Sequence, residues 1–589
     1  MNNEQVIPNE SKSDTPTFKV LSDGKEVDAK FQFQAITVNR EINRIATAKL
    51  LIRDGEASEG EFSFSNMAEF EPGKEIEIKA GFDADDDPVF KGLVVKHSIK
   101  VQENGNSQLS IVCKDQAVKM TVGRKNGYFT DSKDSDVIGE ILSANGVKGK
   151  VDATKVTHTE IVQHYMTDWD FVLSRAEANG LVALTNDGKV DIIAPDAGQK
   201  PVLNLTYGGT LIEFDAELDA RYQWKSVTAK AWDYGSQKLF ESSASSTPFK
   251  DHGNLGGDKL ADVLGLSTYE LQHSGFMPED ELQSWADAEL LKSRLAKIRG
   301  SAKFKGLSKL KLGDTVELGG VGDRFNGVAY VTAVVLELVK GNLYTHVQFG
   351  ADPRWFYKRA DVLDAPSAGL MSAVYGLMTG VVVKIDGDPE GQERIQVKCP
   401  IIDADAKGVW ARLTSLDAGS DRGWVYRPEV DDEVIVGFIN GDPRDAVIIG
   451  MVHSGKNKAP IPAESANDLK GYTSRSKMKL TFDDGGKVIT IETPGGNSVT
   501  ISDADKMIEL KDQNMNSITM NQQGIQIKTL KDVVIDAKGS IEGKATVGIK
   551  LQALKIDLKA VALKLIGAAS AKLSAAGKMA IKGKPITLN

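Results

Sequence analysis

The residues best suited to chemistry in this 589-residue chain are seven histidines, two cysteines and many carboxylates. The histidines form neither an H-E-x-x-H motif nor any paired ligand spacing, which argues against zinc. The run Asp83-Ala-Asp85-Asp-Asp87 starts like a calcium loop. Such a loop needs Gly at position 6 and Glu at position 12, where this chain has Pro88 and Val94. The run is therefore predicted to be a solvated hairpin turn.

Other catalytic signatures are missing from the sequence as well. There is no phosphate-binding G-x-x-x-x-G-K-[ST] motif and no G-x-S-x-G motif. Cys113 and Cys399 are the only cysteines of the sequence, and two distant cysteines constitute neither a disulfide framework nor a metal cluster, so both are predicted to be small buried hydrophobes. We expect no catalytic residue, no metal and no cofactor. Sequence alone cannot pair two carboxylates for glycoside cleavage, so an envelope-degrading, lysozyme-like enzyme stays open as an alternative.

Charge is distributed unevenly along the chain. The formal net charge is −10, yet residues 531–589 contain 11 Lys and only 4 Asp or Glu. The C-terminal part is therefore predicted to be a separate module, and the acidic remainder gives no reason to expect nucleic acid as a partner. The first residues, MNNEQVIPNESKSDTP, lack the apolar core of a signal peptide, and no run of about 18 apolar residues could span a membrane. We expect a flexible arm at 1–17 and assembly in the bacterial cytoplasm.

Two β segments with a helical insert occupy the first 365 residues. Alternating strands predict a β domain at 18–130, two short helices predict an α+β insert at 131–204, and strands with a long helix (about 278–298) predict a second β domain at 205–365. Gly73 and Gly313 stand at the same spacing from Ile76 and Val316, and similar Phe-x-Gly turns and Gly-Asn turns follow. This matched spacing predicts that the two β segments are copies of one another.

Short strands and tight turns at 366–453 predict a small closed barrel of the OB kind. Its strands lack the basic and aromatic stripe of a nucleic-acid-binding barrel. A polar linker is expected at 454–474.

Beyond the linker, apolar residues recur as doublets two positions apart. The doublets are Ile489/Ile491, Val499/Ile501, Ile508/Leu510, Ile518/Met520, Ile525/Ile527, Val533/Ile535, Ile549/Leu551, Ile556/Leu558 and Leu563/Leu565. Gly, Asn, Asp and Lys fill the gaps, and no aromatic residue follows Phe482.

The doublets in GIKLQALKIDLKAVALKLIG (548–567) could belong to a cationic amphipathic helix or to short strands. At about 100° per residue the lysines would surround a helix, whereas a membrane-surface helix needs one polar face. As strands, the doublets point inward and the residues between them point outward. One ribbon cannot bury its doublets alone, but three chains around a common axis can. We therefore predict an intertwined trimeric β-prism at 475–589, with Ile549, Leu551, Ile556, Leu558, Leu563 and Leu565 in its core.

Several stretches resemble the VgrG-type spikes of contractile injection systems, namely type VI secretion, extracellular injection particles and the hub-spikes of myophages. The stretches are QHYMTDWDFVLSRAEANGL (163–181), GVVVKIDGDPEGQERIQVKCP (380–400) and residues 409–455. QAVKMTVGRKNGYF (116–129) favours extracellular particles or their relatives. The resemblance extends over nearly all of the chain after residue 18.

The resemblance implies a homotrimer with a mainly β architecture: an α+β hub of two tube-like barrels and a helical insert, an OB barrel and a β-prism needle. Three chains would present six barrels to a hexameric inner tube within a baseplate. A PAAR-repeat tip protein would cap the needle, with Ile586, Thr587, Leu588 and Asn589 as the candidate docking residues. Any effector cargo is expected to be a separate chain, because 454–474 leaves no room for a lysozyme domain and nothing follows Asn589.

Three functions follow from these observations. The first is a structural spike that punctures the target envelope, meets the target membrane only transiently, and ends in an extracellular particle or the target cell. The second is the envelope-degrading enzyme. The third is a receptor-binding fibre whose basic tail binds a membrane or polyanion.

Overall fold

The computed structural model describes residues 15–83, 85–103, 107–306 and 309–587. Most of the predicted N-terminal arm lies outside these ranges, although its last residues already enter the first strand. Within the described residues, no helix is both long enough and apolar enough to cross a membrane.

The first β unit consists of seven strands whose inward side chains alternate with exposed ones. The strands are β1 (Pro16–Ser22), β2 (Lys25–Glu26), β3 (Phe33–Glu41), β4 (Thr47–Arg53), β5 (Glu75–Phe82), β6 (Asp85–Lys100) and β7 (Gln108–Lys114). Their spatial order is β3-β4-β7-β6-β5-β1-β2. Leu50, Ile76 and Ile111 are completely buried between polar neighbours, so the period-two pattern builds one apolar face. Cys113 is buried on the same face, and burial raises the pKa of its thiol to about 12.

The insert combines two helices with two antiparallel strand pairs, β8 with β9 and β10 with β11. Its elements are β8 (Lys125–Lys133), α1 (Asp134–Ala144), β9 (Thr157–Met166), α2 (Asp168–Ala178), β10 (Val182–Asn186) and β11 (Lys189–Ile193). The Thr167 hydroxyl caps α2 by accepting a hydrogen bond from the Asp170 amide at 3.1 Å. The helix ends before Gly180, whose φ of +69° suits the left-handed turn that follows. Ile138, Val172 and neighbouring apolar residues form a separate core.

The second β unit includes a layer that the sequence pattern did not predict. Its elements are β12 (Leu203–Thr206), β13 (Glu213–Leu218), β14 (Ser226–Asp233), β15 (Lys238–Ala244), α3 (Gly257–Leu264), β16 (Thr268–His273), α4 (Glu279–Leu295), β17 (Ile298–Lys305), β18 (Thr315–Gly319), β19 (Gly327–Val339) and β20 (Asn342–Phe349). Strands β15-β14-β16 form a small sheet of their own, against which α4 packs Leu282, Ala286 and Leu290. The long helix ends at Leu295, and Ile298, expected inside it, begins β17.

The two β units repeat the same strand order and share one sheet. Strands β13-β17-β20-β19-β18 correspond in order to β3-β4-β7-β6-β5. The Gly73 amide donates to the Val94 carbonyl at 2.9 Å, and the Gly313 amide donates to the Val331 carbonyl at 3.1 Å. The sequence predicted two separate β domains, but β3 pairs with β19 and merges them into a 13-stranded sheet.

The third domain is a closed five-stranded barrel in the order β21-β22-β23-β27-β26. Its strands are β21 (Met378–Lys384), β22 (Ile395–Lys398), β23 (Val409–Leu413), β26 (Glu433–Phe438) and β27 (Ala446–Met451), with β24 (Ala418–Gly419) and β25 (Arg422–Gly423) in a long loop. Val397, Val434 and Ile448 fill the barrel, and Cys399 is buried beside them. This architecture agrees with the OB-type barrel that the strand pattern predicts.

The last regular element is a seven-stranded antiparallel meander in which each strand pairs with the next in sequence. Its strands are β28 (Leu469–Thr473), β29 (Lys479–Asp483), β30 (Val488–Glu492), β31 (Ser498–Ser502), β32 (Met507–Lys511), β33 (Ser517–Asn521) and β34 (Gly524–Lys528). The sheet therefore starts inside the predicted linker. From 529 to 587, the described residues contain no strand within the single chain.

Candidate assembly surfaces

The needle meander, residues 469–528, presents its doublets as two ladders on one face. The first ladder contains Tyr472, Leu480, Ile491, Val499, Leu510, Ile518 and Ile527. The second contains Lys470, Phe482, Ile489, Ile501, Ile508, Met520 and Ile525. Each member lies directly opposite the next, and 13 of the 14 ladder positions are nonpolar or aromatic.

This apolar face is uncovered in the single chain. Ile491 is 51% exposed, Leu510 42% and Ile527 60%. A soluble protein rarely leaves a contiguous apolar surface of this kind in water, and such a surface marks an interaction site. The face is therefore the strongest candidate assembly surface of the molecule.

The opposite face of the same sheet is polar. The middle residue of each strand lies there, and these residues are Gly471, Thr481, Thr490, Thr500, Glu509, Thr519 and Gln526. Threonine combines high strand propensity with a hydroxyl that water can solvate. One face is thus built for burial and the other for solvent.

The tail after the meander carries the same uncovered pattern without strand pairing inside the chain. The predicted core residues are exposed by 51% to 70%: Ile549, Leu551, Ile556, Leu558, Leu563 and Leu565. The candidate tip residues Ile586 and Thr587 are exposed too. Leu588 and Asn589 lie outside the described residues.

Two carboxylates of the hub, Asp134 and Glu289, are buried and held by hydrogen bonds. Asp134 is buried, and burial alone would raise its pKa, but hydrogen bonds from His158 and Arg175 hold that pKa well below the usual range. It is therefore a structural carboxylate that stays ionised at neutral pH. Glu289 is also buried and accepts hydrogen bonds from the indoles of Trp224 at 3.1 Å and Trp355 at 2.7 Å. These indoles occupy the carboxylate oxygens of Glu289 and fix the position of this side chain on α4.

One cleft in the hub holds several carboxylates together. It measures about 560 Å³ and is lined by Glu41, Asp170 and Asp361, among others. Burial, followed by the charge of Asp361, raises the pKa of Asp170. Asp170 accepts a hydrogen bond from the Thr167 hydroxyl at 2.6 Å, which also belongs to the cap of α2. Among the described residues, no cluster of His, Cys, Asp and Glu has the arrangement of a metal site.

Comparison with known families covers most of the chain. The Alg8 N-terminal domain matches residues 12–340, more than half of the sequence. The injector OB domain of type VI secretion systems and phage baseplates matches 378–453, and the phage baseplate V C-terminal trimerisation domain matches 488–564. The chain belongs to the Alg8 N-terminal domain family. The matches to the injector OB domain and the trimerisation domain support a VgrG-type spike.

Two curated relatives of the chain are spike proteins of type VI secretion systems. The type VI secretion spike protein VgrG1b of Pseudomonas aeruginosa is 23% identical over 415 residues, which cover 66% of this chain and 54% of that protein. VgrG3 of Vibrio cholerae is 32% identical over 80 residues, which cover 13% of this chain and 8% of that protein. The chain thus spans about half or less of the length of these relatives.

Solved structures of tail and secretion proteins are similar over long stretches. A Neisseria meningitidis tail protein, at 14% identity and a TM-score of 0.43, covers 58% of this chain and 98% of its own. An Escherichia coli component of the type VI secretion system, at 12% identity and a TM-score of 0.35, covers 74% of this chain and all of its own.

Sequence reasoning placed the needle doublets on one face but missed two features of the hub. The pairing of β3 with β19 has no local signal, because any two alternating strands could pair. The cleft with Asp170 brings together residues from four separate segments, and only the folded chain shows their proximity.

Proposed function

We propose that this spike is a structural homotrimer at the tip of the inner tube of a contractile injection system. Sheath contraction drives the needle through the target envelope, and the wide hub transmits the force. The spike contacts the target membrane only transiently. The protein itself catalyses no reaction and needs no cofactor.

The uncovered doublet face of the needle meander is the observation that carries this proposal. Three copies around one axis can turn these faces toward each other and leave the threonine faces in water. The exposed doublets of the tail extend the same arrangement toward the tip. Their small aliphatic side chains suit a narrow threefold axis.

Light scattering on the purified full-length chain tests the trimer. We expect the mass of three copies for the natural chain and for Thr500→Asp, whose side chain lies on the polar face. Ile501 is the next residue in the chain and lies on the apolar face. Ile501→Asp places a carboxylate on that face and should dissociate the needle. A monomeric natural chain, or equal behaviour of both variants, would overturn the proposal.

The hub is proposed to dock onto a hexameric inner-tube protein within the baseplate. The two matching β units per chain support this, since three chains supply six similar units. Sedimentation of the purified spike with assembled tube rings should show one trimer per ring end. A stoichiometry of one chain per ring would contradict the proposed match.

The needle tip is proposed to bind a PAAR-repeat protein through Ile586, Thr587, Leu588 and Asn589. A chain truncated after Gly583 should remain trimeric and lose tip-protein binding in a pull-down. Retained binding by the truncated trimer would place the docking surface elsewhere. Effector cargo is proposed to be a separate chain that leaves the cell with the particle.

The carboxylates of the Asp170 cleft favour the enzymatic alternative. Incubation of the purified spike with peptidoglycan should release no soluble fragments. Release that disappears in both Asp170→Asn and Asp361→Asn would replace the structural proposal with the enzymatic one.

A further inference from the structure

Three guanidinium groups meet in one cleft of the hub, between the insert and the second β unit. This arginine cleft measures about 560 Å³ and is lined by Arg221, Arg299 and Arg354, among others. Arg221 follows β13, Arg299 lies on β17 and Arg354 follows β20, so the fold brings together segments that are distant in sequence. The volume falls in the range of sites that bind small molecules.

Arg221 and Arg354 are held by the same local clamp. The Asp219 carboxylate accepts hydrogen bonds from the Arg221 amide at 2.9 Å, from its Nε at 3.0 Å and from its Nη2 at 2.8 Å. The Asp352 carboxylate accepts the equivalent three bonds from Arg354, at 3.0 Å, 3.2 Å and 2.8 Å. Two separate loops therefore fix an arginine side chain in the same way.

Each clamp leaves one side of its guanidinium free. Asp219 and Asp352 take the edge formed by Nε and Nη2, and the Nη1 groups of Arg221 and Arg354 donate to no acceptor within the part of the chain that the structure describes. Because the clamps already fix both side chains, little conformational entropy is lost when a ligand binds to Nη1. The two arginines are therefore prepared to contact an anion.

Arg299 has fewer acceptors than either clamped arginine. Its Nη2 group donates to Glu217 at 2.6 Å, whereas its Nε is buried without an acceptor among the described residues. A guanidinium can donate five hydrogen bonds, and a buried donor without an acceptor is unfavourable. Oxyanions in the cleft would supply acceptors to the Nη1 side of this under-satisfied group.

The lining of the arginine cleft carries more positive than negative charge. Lys292 and Arg359 join the three arginines, whereas only Glu41, Glu177 and Asp352 bring negative charge. Two further acidic side chains, which hold arginines of the cleft, lie outside its lining. The electrostatic potential inside the cleft therefore favours an anion.

The carboxylates of the lining are already occupied. Glu41 pairs with Arg44 at 2.8 Å. Glu177 accepts a hydrogen bond from the Lys292 ammonium group, and Asp352 forms one of the two clamps. A bound anion would thus face cations whose own partners do not fill the cleft.

We infer that the arginine cleft binds a small polyanion, a molecule with two or more carboxylate or phosphate groups. Arg221, Arg299 and Arg354 provide the direct contacts, since guanidinium groups bind both kinds of oxyanion through charge-assisted hydrogen bonds. The bound molecule links the loop after β13 to the segment after β20, which leads to the barrel, and thereby holds this segment against the hub. The inference goes beyond the proposed puncturing function and uses no contact between copies.

Isothermal titration calorimetry on the purified full-length chain tests the site, with pyrophosphate and tricarballylate as separate probes in a buffer without other oxyanions. We expect saturable binding of one anion per chain, accompanied by a rise in the unfolding temperature. The probe that binds more tightly identifies the ligand as a phosphate or a carboxylate compound. Absence of both binding heat and thermal stabilisation with the two probes would overturn the inference.

The chain provides a matched control for the clamped arginines. Asp442 clamps Arg444 on the barrel through bonds of 2.9 Å, 3.0 Å and 2.6 Å from its amide, Nε and Nη2, but Arg444 does not line the arginine cleft. Arg221→Gln and Arg354→Gln should each weaken binding about tenfold, since each removes a charge-assisted contact. Arg444→Gln should bind like the natural chain. Equal affinity in the three variants would refute the site.

Limited proteolysis tests the link to the segment after β20. Chymotrypsin cleaves after aromatic residues, and Tyr357 in this segment is 46% exposed. The tighter probe, at a concentration just sufficient to saturate the natural chain, should slow cleavage after Tyr357 several-fold in the natural chain and in Arg444→Gln. It should have little effect on Arg221→Gln. Unchanged cleavage in the saturated natural chain would overturn the proposed link.

Discussion

The Arg175 guanidinium donates two hydrogen bonds to Asp134, from Nε to Oδ1 at 2.5 Å and from Nη2 to Oδ2 at 2.9 Å. Asp134 is the first residue of α1 and Arg175 lies in the last turn of α2, so this pair ties the two helices of the insert together. His158 lies at 3.1 Å from the same carboxylate and connects it to β9. The Asp134 carboxylate is buried, and the fixed donors of the protein take the place of its hydrating water molecules.

Asp134→Asn should therefore destabilise the hub by about 3 kcal/mol, because Arg175 loses the nearer of its two carboxylate partners and keeps only Glu281, at 3.6 Å. Urea unfolding followed by tryptophan fluorescence would measure the loss. Asp442→Asn is the control: it removes an aspartate that pairs with Arg444 at the surface, and little change is expected. If Asp134→Asn and Asp442→Asn lowered the free energy of unfolding equally, burial would not strengthen the contribution of the Asp134–Arg175 pair.

The same carboxylate should make the hub sensitive to acid. The folded-state pKa of Asp134 is depressed, so its contribution to stability is present above about pH 4 and is lost as pH falls further. The free energy of unfolding should decline below pH 4 in the natural chain. It should decline less steeply in Asp134→Asn, and parallel curves would contradict the assignment.

Asp115 should have the opposite effect on how the free energy of unfolding depends on pH. Burial raises its pKa to about 6, and the nearby charge of Asp187 adds to the effect. Its stabilising contribution is complete below about pH 4 and is lost as pH rises through 6. Asp115→Asn keeps an oxygen that can accept the hydrogen bond from the Ala117 amide. This variant should match the natural chain at pH 4 and be more stable by about 2 kcal/mol at pH 8, as measured by urea unfolding.

Ile556→Asp should open the C-terminal half of the needle. In the proposed trimer, it places three carboxylates on one axis without partners, which is strongly unfavourable. Lys559→Asp changes an outward residue of the same segment and should leave the trimer intact. Trypsin digestion of the full-length spike would report the difference, since trypsin can cut after the outward lysines only where the backbone has lost its paired strands. A tail that stays protected in Ile556→Asp would refute the proposed packing.

The lysines of the tail should give weak, salt-dependent attraction to anionic membranes. Residues 558–589 contain six Lys and no Asp or Glu. Sedimentation with vesicles that contain 30% phosphatidylserine is expected to recover a minor fraction at low salt and almost none at about 0.5 M salt, where charges are screened beyond a few ångströms. Strong binding that survives this salt concentration would favour the receptor-binding fibre.

Local signals predicted the elements whose ends depend on neighbouring residues. Helix α2 begins after Thr167 and ends before Gly180, as its capping residues indicate, because a cap is a contact within one turn. The hairpin of β10 and β11 turns at Asp187-Gly188, where both residues have positive φ. The doublets likewise identified one face of the needle, since strand periodicity alone sets which side chains share a face.

Pairings between distant segments could not be predicted from such signals. The union of the two β units through Val38 and Leu336 depends on which edges meet, and many alternating strands would satisfy the same pattern. The small sheet of β14, β15 and β16 eluded prediction for the same reason, because β14 pairs in parallel with a strand that follows an intervening helix. For the tail, strand assignment requires partner strands, and the chain alone offers none within the described range 529–587.

The neighbour-to-neighbour pairing of the meander has a consequence for the order of assembly. Every strand from β28 to β34 finds its partner a few residues away, so the sheet can form at low contact order within one newly made chain. The tail has no such local partner. In the proposed trimer, the folded meanders would first align the three chains. The three tails would then wind around one another from the meander toward Ile586. Nucleation at the meander would thus prevent the tails of the three chains from pairing in a shifted register.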